Sequence, residues 1–334
     1  MLIQKPRNTE ASVLRGLFIQ VIMKKVGIIG GSGFIGSYIT KAFLDNGFLV
    51  KVSATDIKRE DKYKHLVTLN RSENLHISEL DVMNKAVLQD FVFDCDIVIH
   101  AGTPFFLDFH DAKKQLFEPT ITGTENFLEV VSQTPGIEKV VFIASVAAWN
   151  TNFPLPAGTK SFTHTFDEND IRFTSTESHP YAQAKFMANQ AVEKFIKDNP
   201  NLSFEISTVS PVMVMGKAMS NREDSTSTGL QFLIKNKIAP DDFIKALYDN
   251  DVPFAIVDVE DVANATFKTA TTMELHGKDY LLSSETYKVS DVSAMLNNQE
   301  PKEKPSIVYK NDLAKKELGV RFRAVKETLN NYAN

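Results

Sequence analysis

The chain has 334 residues, of which 43% are hydrophobic and 24% charged, a balance that excludes disorder as the main state. The formal net charge of -5 provides no basic field for a nucleic acid, so we expect no nucleic-acid partner. The single cysteine, Cys95, excludes an intrachain disulfide and favours a reducing, cytoplasmic location. No run of residues approaches the roughly 18 to 20 apolar residues of a membrane span, and we expect none.

Residues 1–22 have two interpretations. Apolar side chains recur at helical spacing over residues 14–22, which is typical of a short amphipathic helix. Alternatively, Met23 is the natural start and residues 1–22 are an N-terminal extension upstream of it. The segment lacks the clean apolar region and the small-residue cleavage site of a signal peptide.

From residue 24 onward, short apolar strands alternate with helices. Strands are predicted at residues 24–29, 48–54, 75–80, 96–100, 139–144 and 204–210. Helices are predicted between them at residues 34–44, 86–91, 122–131 and 182–196. This alternation predicts an α/β fold with a Rossmann-type, doubly wound parallel sheet.

Beyond residue 211 the alternation fades. Residues 217–250 are polar, and we expect a loop at 220–228. The remaining predicted elements are a strand end and helix at 256–270, a strand at 280–282, and helices at 291–296 and 312–318. We therefore expect a Rossmann domain over 23–210 and a smaller, mixed α/β, mainly substrate-binding portion over 211–334. Within that portion, about 251–272 is expected to pack back on the Rossmann domain.

Three glycines at three-residue spacing, Gly30, Gly33 and Gly36, end the first strand and open the first helix. Gly30 permits a tight turn, Gly33 lets the backbone approach a pyrophosphate, and Gly36 lets the helix pack close to the sheet. The start of the helix then offers free N–H groups to the phosphates. In this context the motif predicts a dinucleotide site. The expected site includes the residues between the glycines, Ser32, Phe34 and Ile35.

The loop after the second strand gives conflicting signals about the cofactor. Asp56 lies 20 residues after Gly36, where an acid usually binds the ribose hydroxyls and favours NAD(H). Basic side chains that are able to accept a 2′-phosphate crowd the same loop: Lys58, Arg59, Lys62 and Lys64. With Lys62 included in the site, the sequence leans slightly to NADP(H) and leaves NAD(H) open. Asp81 and Val82 are predicted to contact the adenine, with a strand-end cap as the alternative for Asp81.

Tyr181 and Lys185 lie four residues apart on a predicted helix and therefore share one face. The lysine is expected to lower the tyrosine pKa toward working pH and to make Tyr181 a general acid or base. Lys185 is also expected to hold the cofactor ribose. Ser145 ends the fifth strand, and parallel sheets bind ligands at that end of their strands. Its hydroxyl is therefore a candidate partner for a substrate oxygen.

No metal site is expected, because the seven histidines show no ligand spacing and one cysteine cannot build a thiolate site. His100 ends the fourth strand near the cofactor loop. We expect it to have a structural role or to support the residues that contact the cofactor.

These residues together resemble the extended short-chain dehydrogenase/reductase family, which includes nucleotide-sugar epimerases and dehydratases. Within that family, they resemble most the dihydroflavonol reductase and aldehyde/ketone reductase branch. The resemblance covers the chain from residue 24 to its end. It is carried by residues 30–36, 100–104, 140–145, 181–185, 210–216 and 257–263.

The resemblance implies that Ser145, Tyr181 and Lys185 form a catalytic trio. It also implies four further cofactor contacts, two in a loop beside the cofactor and two near the nicotinamide. In that order, these are Ala101, Thr103, Pro211 and Val214. Thr55 stands where NADP-using reductases of this branch commonly have arginine, which weakens the NADP(H) preference.

Two substrate contacts are predicted, Asn150 and Phe105. Asn150 lies five residues after Ser145 and matches a substrate-contacting asparagine of the reductase branch. Phe105 is expected, with Trp149 and Phe162, to line an apolar pocket or else to belong to the core.

The resemblance implies an NAD(P)H-dependent oxidoreductase that reduces an aldehyde or ketone to an alcohol, or runs the reverse reaction. Its partner is then a small-molecule carbonyl or alcohol, and a homodimer through the helix of Tyr181 is expected. One alternative is a nucleotide-sugar epimerase or dehydratase that keeps NAD(P) tightly bound. A second is a non-catalytic dinucleotide sensor.

Overall fold

The computed structural model describes residues 23–102, 110–220 and 226–333. The strands in these residues are β1 (Lys25–Ile29), β2 (Leu49–Ala54), β3 (Leu75–Glu79), β4 (Ile97–His100), β5 (Lys139–Ile143), β6 (Glu205–Pro211), β7 (Met213–Met215), β8 (Pro253–Asp258), β9 (Asp279–Leu282) and β10 (Glu285–Lys288). The helices are α1 (Phe34–Asp45), α2 (Lys85–Val92), α3 (Gly123–Gln133), α4 (Pro180–Asp198), α5 (Thr226–Asn236), α6 (Asp242–Asp249), α7 (Val259–Thr271), α8 (Val289–Leu296), α9 (Asp312–Leu318) and α10 (Val325–Ala333).

The larger sheet has the strand order β3-β2-β1-β4-β5-β6-β9, with every pair parallel. The first three strands are added in one direction from β1, and the later strands are added on its other side, beginning with β4. Ligands of such sheets bind at the carboxyl ends of the strands beside this switch point. The smaller sheet is mixed, because β8 runs parallel to β7 and antiparallel to β10. The predicted doubly wound parallel sheet with a smaller mixed α/β portion is therefore confirmed.

Helices cover both faces of the larger sheet. β5 is buried along its whole length, as expected for a central parallel strand. On one face Phe43 of α1 contacts Phe48 and Phe267 of α7, with ring centroids 5.1 and 5.0 Å apart. On the other face Phe127 of α3 packs at 5.4 Å against Phe142 of β5. Aromatic side chains thus pack the helices onto both faces of the larger sheet.

The chain beyond residue 211 contributes to both sheets. β9 adds the seventh strand of the larger sheet, beside β6, and α7 packs on α1. Both α7 and β8 come from residues 251–272, the span that was expected to pack on the Rossmann domain. β8 belongs to the smaller sheet.

The polar stretch 217–250 contains two helices that its composition did not predict, α5 and α6. Asp241 caps α6 by accepting the N–H of Ile244 at 2.8 Å, and Ile244 and Leu247 are buried. One short apolar face is enough to place α6 in the core of the smaller sheet. The expected loop at 220–228 overlaps α5, which begins at Thr226. Residues 1–22 and 221–225 lie outside the described residues.

A π-helical segment, Lys113–Thr122, precedes α3 and contains Pro119. Proline has no N–H to donate and clashes with the preceding turn, which accounts for a widened helix where the sequence predicted no element. In the described part of the chain, no helix has the length and apolarity to cross a membrane.

We expect Phe43→Ala to lower the free energy of unfolding by about 3–5 kcal/mol, because it removes a fully buried ring and leaves a cavity. Urea denaturation followed by circular dichroism measures the change. Phe93→Ala is the control, since Phe93 is 68% exposed, and it should stay within about 0.5 kcal/mol of the parent. Equal losses for the two variants would contradict the assigned core.

Candidate functional site

The glycine turn and the segment after β4 pack backbone against backbone. Gly30 has a φ of 79°, and a Cβ on it would lie 2.8 Å from the backbone of Gly102. A Cβ on Gly36 would lie 2.0 Å from the carbonyl oxygen of Gly30. The Gly30 N–H donates to Oγ of Ser53 at 2.9 Å, which fixes the turn to β2. Glycine is therefore required at both positions by the fold itself.

The start of α1 is open to an anion. The helix begins after Gly33 with no side-chain cap and no acidic residue in its first turn. A Cβ on Gly33 would approach one atom, the Gly30 carbonyl oxygen at 3.3 Å, so the space beside Gly33 stays free for a ligand. Ser32 is buried just before Gly33, and Phe34 and Ile35 begin the helix and pack in part against the core. Uncapped N–H groups at a positive helix end fit a pyrophosphate, and these residues therefore fit the expected dinucleotide.

Lys185 joins α4 to the carboxyl end of β5. Its Nζ donates to the carbonyl oxygen of Ile143 at 2.9 Å, and the side chain is 6% exposed. Burial lowers the pKa of Lys185 to about 8, because an ammonium group loses hydration in the interior. The lysine is therefore charged below pH 8 and neutral above it.

Tyr181 lies one turn before Lys185 and forms a hydrogen bond with Ser145. The Ser145 Oγ also accepts the N–H of Ala147 at 3.2 Å, at the start of a short turn after β5. The structure thus brings together the three residues of the predicted trio, from two separate elements, at the carboxyl end of the sheet.

The pKa of Tyr181 differs from the sequence expectation. Burial raises it above the usual value for a phenol, and the hydrogen bond with Ser145 offsets that effect in part. The expected lowering by Lys185 is wrong, since burial and the Ser145 hydrogen bond are what shift this pKa. Burial dominates because a phenolate loses its hydration in the interior. Tyr181 therefore carries its proton throughout the neutral range, which suits an acid rather than a base.

Two contacts that the sequence reasoning missed position the start of α4. Nδ1 of His179 caps the helix by accepting the N–H of Tyr181 at 3.2 Å. Oγ of Ser178 lies 2.9 Å from Oγ1 of Thr151 and 2.7 Å from Oδ1 of Asn152. These hydrogen bonds join the start of α4 to the loop after Ser145. Pro180 at the first helical position was the available signal, because proline is common there.

The loop after β2 is exposed and carries opposing charges. Asp56 lies two residues beyond the end of β2, and its Oδ1 accepts the N–H of Lys58 at 2.9 Å. Arg59 is bound by Asp61 through two hydrogen bonds of 2.9 Å, while Lys62 ends a short helical turn. The loop therefore presents both the acid typical of NAD(H) sites and cations suited to a 2′-phosphate.

The adenine contacts have competing structural roles. Oδ1 of Asp81 accepts the N–H of Met83 at 2.9 Å, which is the local cap that the sequence allowed as an alternative. Val82 is half-buried and packs against Gly123, where an added Cβ would lie 2.9 Å from it. Ala101 continues β4, with its N–H donating to the Ile29 carbonyl at 2.9 Å.

Of four more predicted residues, the structure describes two. Pro211 ends β6 and Val214 lies in β7, both buried where the two sheets meet. Thr103 and Phe105 fall outside the described residues. Their predicted contacts with cofactor and substrate remain predictions.

Asn150 is 0% exposed, and its amide is engaged within the protein. Its Nδ2 donates to the Leu155 carbonyl at 2.8 Å and to the Tyr309 hydroxyl at 3.1 Å, while its Oδ1 accepts the N–H of Asn152. These contacts give it a role in fixing the loop after Ser145, and they oppose the predicted substrate contact. The five-residue spacing carried no information about burial.

The predicted pocket aromatics separate in the structure. Trp149 is buried beneath the guanidinium of Arg172, whose Cζ is 4.3 Å from the ring centroid. Phe162 is 45% exposed. Across residues 23–102, 110–220 and 226–333, no group of three or more histidine, cysteine or acidic side chains is placed to hold a metal ion.

Comparison with known proteins gives three findings. Residues 26–283 match the model of the NAD-dependent epimerase/dehydratase family. The chain is 28% identical over 244 residues to cinnamoyl-CoA reductase of Medicago truncatula, covering 72% of this chain and 70% of that protein. It is 26% identical to the NADPH-dependent methylglyoxal reductase of Saccharomyces cerevisiae, covering 92% and 97%.

One similar solved structure is also that of a yeast methylglyoxal reductase. The yeast methylglyoxal/isovaleraldehyde reductase complexed with NADPH superimposes with a TM-score of 0.76 at 25% identity, covering 92% of this chain and 97% of that one. The similarity therefore extends through both sheets.

Gly33→Ala should fold but lose most of its dinucleotide affinity, because the added methyl group enters the space where the backbone meets the pyrophosphate. The measurement is the cofactor-induced rise in melting temperature, which we expect to disappear. Gly229→Ala is the control, since a Cβ there meets nothing within 4 Å. Unchanged cofactor response in Gly33→Ala would place the pyrophosphate elsewhere.

Proposed function

The chain belongs to the NAD-dependent epimerase/dehydratase family, and on that premise we propose that it is an NADPH-dependent reductase of aldehydes or ketones. The observation that carries the proposal is the hydrogen-bonded pair of Tyr181 and Ser145 beside the buried Lys185. This trio lies at the same edge of the sheet as the glycine turn. Each member has a separate task in carbonyl reduction.

The nicotinamide of the bound cofactor supplies the hydride. Tyr181 donates its proton to the carbonyl oxygen as the alkoxide develops, so that one hydride and one proton yield the alcohol. Ser145 donates a hydrogen bond that orients the same oxygen. The ammonium of Lys185 then stabilises the phenolate that Tyr181 leaves behind, as long as the pH stays below about 8.

Two relatives support the direction and the cofactor. Both proteins are reductases by name, and the yeast protein is NADPH-dependent. The raised pKa of Tyr181 is compatible with the role of acid, because the phenol holds its proton at neutral pH. The substrate is a small carbonyl compound whose identity a panel including methylglyoxal would establish.

The alternative within the same family is a nucleotide-sugar epimerase or dehydratase. Such an enzyme uses the same trio but returns the hydride to its substrate, so it consumes no cofactor. Purified protein that retains NAD(P) and shows no net cofactor consumption with any carbonyl would favour it. A dinucleotide sensor would require no proton donor, and Tyr181→Phe would leave its function intact.

We retain two further proposals. The single cysteine supports a reducing, cytoplasmic location. A homodimer through α4 would have to use a largely polar surface, since its exposed residues are Met187, Gln190, Glu193, Lys194, Lys197 and Asp198.

Tyr181→Phe should lower kcat for carbonyl reduction by about 10²- to 10⁴-fold, because the proton donor is lost. The variant should still bind NADPH, with a stabilisation of about 2.7 kcal/mol at 100-fold the dissociation constant. Oxidation of NADPH followed by its absorbance, together with thermal melting, gives both values. Tyr248→Phe in α6 serves as the control and should keep its rate. Full activity of Tyr181→Phe would overturn the proposed acid.

Arg59→Gln should weaken NADPH roughly tenfold and leave NADH unchanged, because Arg59 is the cation placed to exchange its carboxylate partner for the 2′-phosphate. Asp61→Asn should act in the opposite direction, since it removes that competing carboxylate. Dissociation constants for both cofactors, from tryptophan or nicotinamide fluorescence, test the pair. Equal weakening of NADPH and NADH would argue that Arg59 has no part in reading the phosphate.

A further inference from the structure

A cavity of ≈ 20 Å³ lies behind the catalytic lysine, between β5 and α4. Its walls are His100, Thr124, Phe142, Ile143, Ala144, Lys185, Ala188, Asn189 and Val192. This volume accommodates one water molecule, which needs two or more polar partners. Lys185 of α4 and His100 of β4 supply a charged and a neutral polar group to its lining.

His100 brings an unsatisfied nitrogen to this cavity. The side chain is 4% exposed, and its Nε2 has no hydrogen-bond partner among the described residues. The ring is held in place between Phe127 and Phe142, with centroids 4.9 and 5.2 Å away. A buried polar atom left without a partner costs about 1–3 kcal/mol. Because the ring is held in place, a hydrogen-bond donor inside the cavity would remove this cost.

The tautomer of His100 follows from its other contact. The ring forms a hydrogen bond with the backbone of His100 itself, of the kind that raises the pKa. With Nε2 unpartnered, the proton of the neutral ring is assigned to Nδ1, the nitrogen nearer the backbone. Burial and the nearby charge of Lys185 lower the pKa of His100 to about 4. The ring is therefore neutral, with Nε2 as a hydrogen-bond acceptor.

We propose that this cavity binds an ordered water that accepts from Nζ of Lys185 and donates to Nε2 of His100. Through it, His100 acts as a positioning residue that keeps Lys185 protonated beside Tyr181. The inference rests on the proposed function for its catalytic consequence, whereas the water site rests on the cavity and on the unpartnered Nε2. Charge-assisted hydrogen bonds are stronger than neutral ones, so this one favours the ammonium form over the neutral amine. Without it, the desolvated lysine loses its proton at a lower pH.

Other titratable groups near the cavity are few and distinct. Tyr181 lies one turn before Lys185 on α4. Asn189, on the cavity wall, hydrogen-bonds Asp279 of β9, whose pKa burial raises to about 6, and Arg172 and Glu193 pair beyond it. Among the described residues that line the cavity on β4, β5 and α3, His100 is the titratable one. A transition near pH 6 thus belongs to Asp279 and one near pH 8 to Lys185.

The first test needs no activity. Nitrogen-15 NMR of histidine-labelled protein should show His100 as the neutral tautomer with Nδ1 protonated, its resonance assigned by its absence in His100→Gln. That resonance should shift with a midpoint near pH 8 as Lys185 loses its proton, and Lys185→Met should abolish the shift. A charged ring at pH 6, or no transition near pH 8, would overturn the proposal.

The second test uses the pH profile of kcat with NADPH and the best carbonyl of the panel. His100→Phe keeps the ring packing and removes the acceptor, so the alkaline limb should move down by about one pH unit, equivalent to a tenfold change in the proton affinity of Lys185. His100→Gln places an amide oxygen near Nε2 and should restore the limb, with KM unchanged in both variants.

Val131→Ala is the matched control, because it loosens buried packing in α3 outside the cavity lining and removes no acceptor. Its limb should stay with that of the parent. A limb shift in Val131→Ala as large as in His100→Phe, or none in His100→Phe, would overturn the proposal. If the parent reduces no carbonyl but shows the NMR transition, the proposed function fails and the coupling of His100 to Lys185 stands.

Discussion

Lys185 donates from a buried ammonium to the carbonyl oxygen of Ile143, 2.9 Å away, and so joins α4 to the end of β5. Removing an ammonium from water costs several kcal/mol, and its hydrogen bonds must offset that cost. Because Tyr181 lies one turn before Lys185, this contact also sets the height of the phenol above the sheet. Ser145, two residues beyond Ile143, then meets that phenol. The site geometry depends on this one cross-link.

In the proposed site, the two ends of the dinucleotide would meet opposite electrostatic solutions. The phosphates would meet backbone N–H groups, since the first turn of α1 has neither a capping side chain nor an acid. The adenosine ribose would meet side chains of an exposed loop, where Asp61 binds Arg59. Exposed ion pairs contribute little, so Arg59 can exchange its partner. On this proposal the fold fixes the phosphate site, and a few surface charges set the cofactor preference.

The sequence predicted the parts whose physics is local. Gly30 and Gly36 predict the turn because backbone sterics at those positions exclude any residue with a Cβ. Asn150 shows the limit: its spacing from Ser145 suggested a ligand, whereas its burial depends on Tyr309, far along the chain. The pKa of Tyr181 was missed for the same reason, because desolvation is a property of the packed interior. Helix α6 was missed since its apolar face is two residues wide.

The larger sheet is completed late in the chain. Its glycine turn and catalytic trio all precede residue 186, yet the seventh strand, β9, comes from residues 279–282, and Asp279 locks it to Ser210 by a hydrogen bond of 2.8 Å. During synthesis β6 therefore waits with an open edge while the smaller sheet's first two strands emerge. Unpaired edges are templates for aggregation, and such distant pairing is slow. The proposed catalytic residues thus depend for their safe folding on a strand that lies outside the proposed site.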